Sequence, residues 1–240
     1  MTSPRDARRR VLDPPADPQR PMNSARTVLL TGFEPFAGMD HNPSWDVVTE
    51  LAAVADRVGL HAQQVHGEVA VRTALLPVEF RASAERLSEQ INACAPDLVI
   101  AVGLAAGTET VRLERVGLNL RDARIPDNAG HQPTEEPVVS GGQPALFSTL
   151  RLKAAHAAIS AAGIPVALSL SAGSFVCNSV LYSLLHAVPT SVPAGFVHVP
   201  DLSRDDSPVH RTQAVQALDL LITESLRPEP DLQVPAGQLH

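Results

Sequence analysis

Three residues far apart in the chain, Cys177, His198 and Glu114, have side chains whose chemistries complement one another. Cys177 lies in Ser169–His186 (SLSAGSFVCNSVLYSLLH), where an apolar strand-like run, 166–168, meets an apolar helix-like run through a polar turn containing Gly173. With Ser174 as N-cap, Cys177 is the third residue of that helix. First-turn N–H groups have no helical acceptors and carry partial positive charge, which favours thiolate over thiol and can cradle an oxyanion. A thiol nucleophile needs a base, and the base needs a third group to orient it. His186 follows Cys177 by nine residues, ~13 Å along a helix, and is out of reach. His198 closes the short apolar run GFVHVP, 195–200. A parallel neighbour of the strand entering the elbow would bring that histidine to the same sheet edge. Glu114, within the alternating segment TVRLERVGLNL (110–120), is the candidate carboxylate. Alternation puts Val111 and Leu113 on one side, Arg112 and Glu114 on the other.

Each residue also has an ordinary structural reading. A free cysteine is more often a core filler than a nucleophile. A histidine at a strand end is more often packed or hydrogen-bonded than a base. A lone glutamate on a strand belongs at the surface, because it is seldom buried unless paired. Phe33 and Phe36, in the loop after the first apolar run, are either loop anchors or pocket walls, and anchoring is the default. On residue types alone both readings stay open.

The elements that must position these groups alternate between strand-like and helix-like. Residues 27–31 (TVLLT) read as a buried strand. Asn42 and Pro43 open a helix running to about Val54, with Val47, Val48, Leu51 and Ala52 inward. Residues 60–65 and 68–77 read as strands. Residues 80–95 read as a helix with Leu87, Ile91 and Cys94 toward the core, stopped by Pro96. DLVIAVG (97–103) is the clearest central strand, and the turn Gly103–Gly107 matches neither nucleotide-binding fingerprint. Residues 121–144 form a long connection rich in turn formers, and ordered loops of that length tend to be functional. Residues 148–163 and 206–226 read as helices, with Leu150, Leu152, Ala155 and Ile159, then Val215, Leu218, Leu221 and Ile222, facing inward.

A chain of 240 residues and 25.5 kDa fits one α/β domain, expected over 27–226. Residues 1–26 hold six arginines and five prolines and no apolar signal region, so a disordered leader is expected, with the functional start at Met22. Residues 227–240 read as a flexible, proline-rich tail. The net charge of −7 gives no basis for a nucleic-acid or anionic-membrane partner, and no apolar run is long enough to span a bilayer. Two cysteines make no disulfide framework, so a reducing cytoplasm is the natural setting.

TGFEPFAG (31–38), NPSW (42–45), LERVGLNLRDARIPDNAGHQP (113–133), SAGSFVCN (171–178) and GFVHVP (195–200) follow the order of signatures in the pyroglutamyl peptidase I family, also called pyrrolidone-carboxylate peptidases. The chain resembles that family from Thr27 to about Pro200. The resemblance implies a three-layer α/β/α sandwich around a mixed, mostly parallel twisted sheet. It also implies a cysteine exopeptidase that removes N-terminal pyroglutamyl (5-oxoproline) residues from peptides through a thioester, with no metal or other cofactor. On the matching motifs it places a Glu-Cys-His triad at Glu114, Cys177 and His198, and a pyroglutamyl pocket at Phe33, Phe36, Phe175 and Val176. The ordinary readings of these residues are then reversed. A homo-oligomer, dimer or tetramer, is implied as well, with 138–139 as a candidate contact. Three positions depart from the family pattern. Ala37 replaces the first glycine of Phe-Gly-Gly, Thr108 an arginine, and Leu170-Ser171 an Asn-Thr pair. If position 37 needs a positive φ, alanine is strained there. The triad positions are intact, so an active enzyme is expected. The alternatives are a silent pyroglutamyl-binding relative and a cysteine amidohydrolase for another cyclic amide.

Overall fold

The computed structural model describes residues 25–203 and 207–237. The expected leader up to residue 24, the start at Met22 and the last three tail residues lie outside them. The elements in chain order are β1 (Arg26–Phe33), α1 (Pro43–Arg57), α2 (His61–His66), β2 (Val69–Leu76), α3 (Ala82–Cys94), β3 (Leu98–Leu104), β4 (Val111–Glu114), β5 (Val116–Leu118), β6 (Ala145–Phe147), α4 (Leu152–Ala161), β7 (Val166–Ser169), α5 (Val176–Ala187), β8 (Ala194–Val199) and α6 (Arg211–Ser225). Six strands form one sheet in the order β2-β1-β3-β8-β4-β7, and β5 pairs with β6 in a small second sheet. Within the main sheet every pairing is parallel except β4 against β8.

Side chains leave a strand alternately to its two faces, and the core divides accordingly. Val28 and Leu30 of β1, Leu98, Ile100 and Val102 of β3, and Val197 and Val199 of β8 pack with α1, α2, α4 and α6. Leu29, Val99, Ala101, Ala194 and Phe196 pack with α3 and α5. Helices thus cover both faces, which is why β1 and β3 read as continuous apolar runs. The result is the expected three-layer sandwich. In β4, Val111 and Leu113 join the first core, so Arg112 and Glu114 face the α3/α5 side, as their alternation requires.

Several boundaries differ from expectation. Residues 60–65, read as a strand, form α2. Gln63 Oε1 accepts from Leu60 N at 2.6 Å, and the Asp219 carboxylate on α6 accepts from the His61 and Ala62 N–H groups at 2.8 and 3.0 Å. A distant carboxylate satisfying two first-turn donors outweighs local strand preference. The alternating run 110–120 is two strands, because it changes sheets at Arg115: the N–H still reaches Ser169 O of β7, while the carbonyl accepts from Ser148 N, next to β6. The fourth helix starts at Leu152 rather than 148. Thr149 is instead tied to Ala194, donating from its N–H at 3.0 Å and accepting at Oγ1 at 2.8 Å. Part of the expected tail is docked: Asp231 caps α4, accepting from Lys153 N and Ala154 N at 3.0 and 2.9 Å. In the pair 138–139, offered as a contact between copies, Val138 is buried within the chain itself.

Candidate active site

The elbow is built by serines. Ser169 Oγ donates to Ser171 O and accepts from Ser171 N, while Ser171 Oγ accepts from Gly173 N, at 3.2–3.3 Å. Gly173 has φ of 80°, a left-handed turn that a side chain would resist. Ser174, expected as N-cap, instead turns its hydroxyl to donate to Asp122 O at 2.6 Å. Phe175 occupies the N-cap position with no side-chain cap bond. Cys177 is therefore the second residue of α5, one position earlier in the first turn than expected. Its N–H remains among those without helical acceptors.

The expected parallel relation between the two strands does not exist. β7, which enters the elbow, runs antiparallel to β8 and is separated from it by β4. β7 draws level with His198 at Ala167 and runs past it, so that Ser169, where β7 ends, is level with Glu114 and hence with Phe196. The six residues 170–175 make up the offset, carrying the chain back along the sheet so that α5 begins above β3 and β8. Gly103, paired with His198, permits this approach: a Cβ there would lie 3.1 Å from the Cys177 sulfur and 2.7 Å from the Phe196 ring.

Glu114 is wholly buried, not at the surface. It sits diagonally across the β4–β8 ladder from His198, on the same face, and its Oε1 accepts from His198 Nδ1 at 2.9 Å. The Cys177 sulfur acts on the same imidazole, which leaves the ring's second nitrogen as the one free to serve it. Burial alone drives the imidazolium to shed its proton. The hydrogen bonds to Cys177 and Glu114, with their negative charges, prevail over burial and raise the His198 pKa to about 9. Phe196 packs on the imidazole with ring centroids 4.8 Å apart. The three groups named from the sequence thus converge.

The four aromatic and apolar residues implied for the pocket also meet. Phe33, Phe36, Phe175 and Val176 line a narrow hollow of about 260 Å³ that ends on Cys177, joined by Asn42, Val78 and Leu104. As it stands it is too narrow for a five-membered ring. Phe36 and Phe175 face each other with centroids 6.4 Å apart, and Phe80 sets its edge against Phe175 at 5.2 Å. The Asn42 side chain is committed to the fold. It donates to Glu34 O and accepts from both the N–H and the hydroxyl of Ser44. A wider cleft of about 880 Å³, beside Phe80 and Arg121, contains neither Cys177 nor His198.

Two contributors escaped the sequence reading. Asn178, next to the thiol and fully buried, accepts from Leu118 N and donates to Leu118 O and Leu120 O. It thereby pins the start of α5 to β5. Its position after the cysteine was visible, but its strand partners were not. Gly103, expected only as the junction of the strand 97–103 and its turn, is the second.

Among known proteins, the family model described as pyroglutamyl peptidase matches residues 26–216. A pyrrolidone-carboxylate peptidase of Erwinia tasmaniensis is 44% identical over 222 residues, 90% of this chain and 100% of the relative. One from Escherichia fergusonii is 41% identical, with the same coverage. Among solved structures, pyroglutamyl peptidase I of Bacillus amyloliquefaciens superposes with a TM-score of 0.76 at 34% identity, covering 86% of this chain and 100% of that one. The pyrrolidone carboxyl peptidase of Thermococcus litoralis gives 0.76 at 31% identity, covering 88% and 99%.

Proposed function

The chain belongs to the pyroglutamyl peptidase family, and from that premise we propose that it hydrolyses the peptide bond after an N-terminal 5-oxoproline, with Cys177 as nucleophile, His198 as proton carrier and Glu114 as the group that orients the imidazole. The convergence of sulfur, imidazole and buried carboxylate at the end of an aromatic-walled hollow is the observation that supports this most directly.

In this mechanism the Cys177 thiolate attacks the scissile carbonyl carbon, and the new oxyanion is held by free N–H groups of the α5 first turn, that of Cys177 among them. The His198 imidazolium gives its proton to the departing amine as the C–N bond breaks, leaving a thioester. Neutral His198 then takes a proton from water as the hydroxide adds to the thioester, and keeps it as the C–S bond breaks and the acid leaves, restoring the thiolate–imidazolium pair; the released acid loses its proton to solvent as pyroglutamate. Glu114 accepts from Nδ1–H throughout, keeping the Nε2 lone pair aimed at the reaction.

Specificity follows from the walls. The 5-oxoproline ring is neutral and flat enough to lie between Phe36 and Phe175. Because the Asn42 side chain is already committed, backbone groups serve the lactam N–H and C=O. A prolyl terminus lacks that carbonyl, and a glutamyl terminus brings charge into an apolar hollow. The hollow is tight, so ring entry requires Phe36, half-buried on its loop, to swing outward. No helix among the described residues is long and apolar enough to cross a membrane. A reducing cytoplasm would keep the thiol available, and a dimer or tetramer belongs to the same proposal, testable by sedimentation.

Release of chromophore from pyroglutamyl-p-nitroanilide, with prolyl and glutamyl anilides in parallel, tests the reading. Cleavage of the pyroglutamyl substrate alone is expected. No cleavage at micromolar protein would instead identify a silent binding relative, and preference for a different cyclic amide would identify an amidohydrolase.

A further inference from the structure

Glu114 carries its charge in an unusual setting. The residue is fully buried, and its Oε2 has no hydrogen-bond partner among the described residues. Compensation therefore reaches it through Oε1 alone, the oxygen that accepts from His198 Nδ1. A second cation converges on that oxygen. Arg112, directly across the β4–β8 ladder from His198, places its Nε 3.6 Å from Glu114 Oε1, an ion-pair distance longer than a hydrogen bond. Its guanidinium is held from the other side: Nη2 donates to Ser169 Oγ at 2.7 Å. Ser169 is the β7 residue paired with Glu114 and the one whose hydroxyl begins the elbow. One side chain thus links the carboxylate, the imidazole's strand and the turn that delivers Cys177.

We propose, on the reading of Cys177, His198 and Glu114 given above, that Arg112 is a positioning residue that holds Glu114 ionised and oriented throughout the catalytic cycle. The need is greatest in the thioester state. His198 has by then given up its proton and is neutral, and Arg112 is the cation still within ion-pair distance of the buried carboxylate among the described residues. Without it, a carboxylate in a desolvated site draws the Nδ1 proton toward itself, and the imidazole loses the tautomer needed to activate water. The titratable and charged groups facing this centre are Arg112 and Glu114 from β4, His198 from β8 and Cys177 from α5. Ser169 from β7 and Gly103 from β3 add no charge.

The sign of the effect is fixed: removing a cation raises the proton affinity of every neighbouring group. In Arg112→Met both limbs of the kcat/KM–pH profile should move to higher pH, by about half a unit or more for charges this close and partly screened. kcat should fall roughly tenfold, the scale of a lost charged interaction, with KM little changed because Arg112 does not line the hollow. Arg112→Lys keeps the charge and should keep the limbs near wild type, with partial loss of kcat because one ammonium cannot serve both Glu114 and Ser169. The rate of Cys177 alkylation by iodoacetamide against pH reads the same shift without substrate. A purely structural role would lower melting temperature and active fraction and leave the limbs in place, which overturns the proposal, as would wild-type kcat in Arg112→Met. If wild-type protein fails to cleave the anilide, the functional reading fails. The alkylation profile of Arg112→Met then still decides whether Arg112 tunes the Cys177–His198–Glu114 cluster.

Discussion

Glu114→Gln removes one negative charge from a fully buried position while keeping the side chain's shape and a carbonyl that can accept from His198 Nδ1. Burial by itself lowers the His198 pKa, and Cys177 and Glu114 together lift it from 6.5 to about 9. That rise corresponds to ~3 kcal/mol. The two partners also offset the lowering by burial, so loss of one charge forfeits at least about 1–2 kcal/mol, or roughly one pH unit. The linkage has a definite direction. A histidine whose folded-state pKa is raised stabilises the protein fully below 6.5, and this contribution is lost as pH climbs through about 9. The alkaline limb of kcat/KM for pyroglutamyl-p-nitroanilide should therefore drop by about one pH unit in Glu114→Gln, opposite to the shift expected for Arg112→Met. At its optimum the variant should lose ten- to a hundredfold in rate, the scale of a hydrogen bond to a charged group. If the glutamine turns its NH2 toward Nδ1 it enforces the wrong tautomer, and the loss is larger. The measurement is a profile over roughly pH 5 to 10 under kcat/KM conditions, with thiol alkylation rates alongside. An alkaline limb that stays put or moves upward would refute the idea that Glu114 holds the proton on His198.

Cys177→Ala should abolish turnover with melting temperature nearly unchanged, since the thiol is part-exposed and forms no disulfide. Cys94→Ala should leave turnover near normal, and iodoacetamide should label Cys177 first by peptide mapping, because burial raises the Cys94 thiol's pKa and slows it. Gly103→Ala would place a methyl 2.7 Å from the Phe196 ring and 3.1 Å from the Cys177 sulfur; kcat should fall at least about tenfold, with about 1–3 kcal/mol of stability lost to overpacking. Ala37 does adopt a left-handed φ, 51°, so Ala37→Gly should raise stability by about 0.5–1 kcal/mol, seen as a melting temperature a few degrees higher. An unchanged or lower value would show that the loop tolerates alanine without strain.

The sandwich was legible in the sequence because its signals are local. The β1 and β3 runs are apolar on both faces since helices cover both. α1 announces itself through Asn42, whose side chain accepts from Ser44 N, and Pro43 at its first position. The alternation of 111–114 correctly put Arg112 and Glu114 on one face. Residue types left the cysteine, the histidine and the carboxylate open between ordinary and chemical readings, and the resemblance of the motifs to one family was what named the three together.

Tertiary structure decided what depended on partners distant along the chain. α2 is a helix because Asp219 satisfies its first-turn donors, and no window around residues 60–65 contains that aspartate. The burial of Glu114 follows from strand order: β4 lies between β7 and β8, and an interior strand between two others puts its polar face in the core, where the carboxylate needed His198 and Arg112 to be there at all. The same order reversed β7 against β8 and left residues 170–175 to return the thiol to the imidazole. Types and periodicities are written along a chain, but which strand lies beside which is set by the packing of the whole, and the charge balance at Glu114 exists only there.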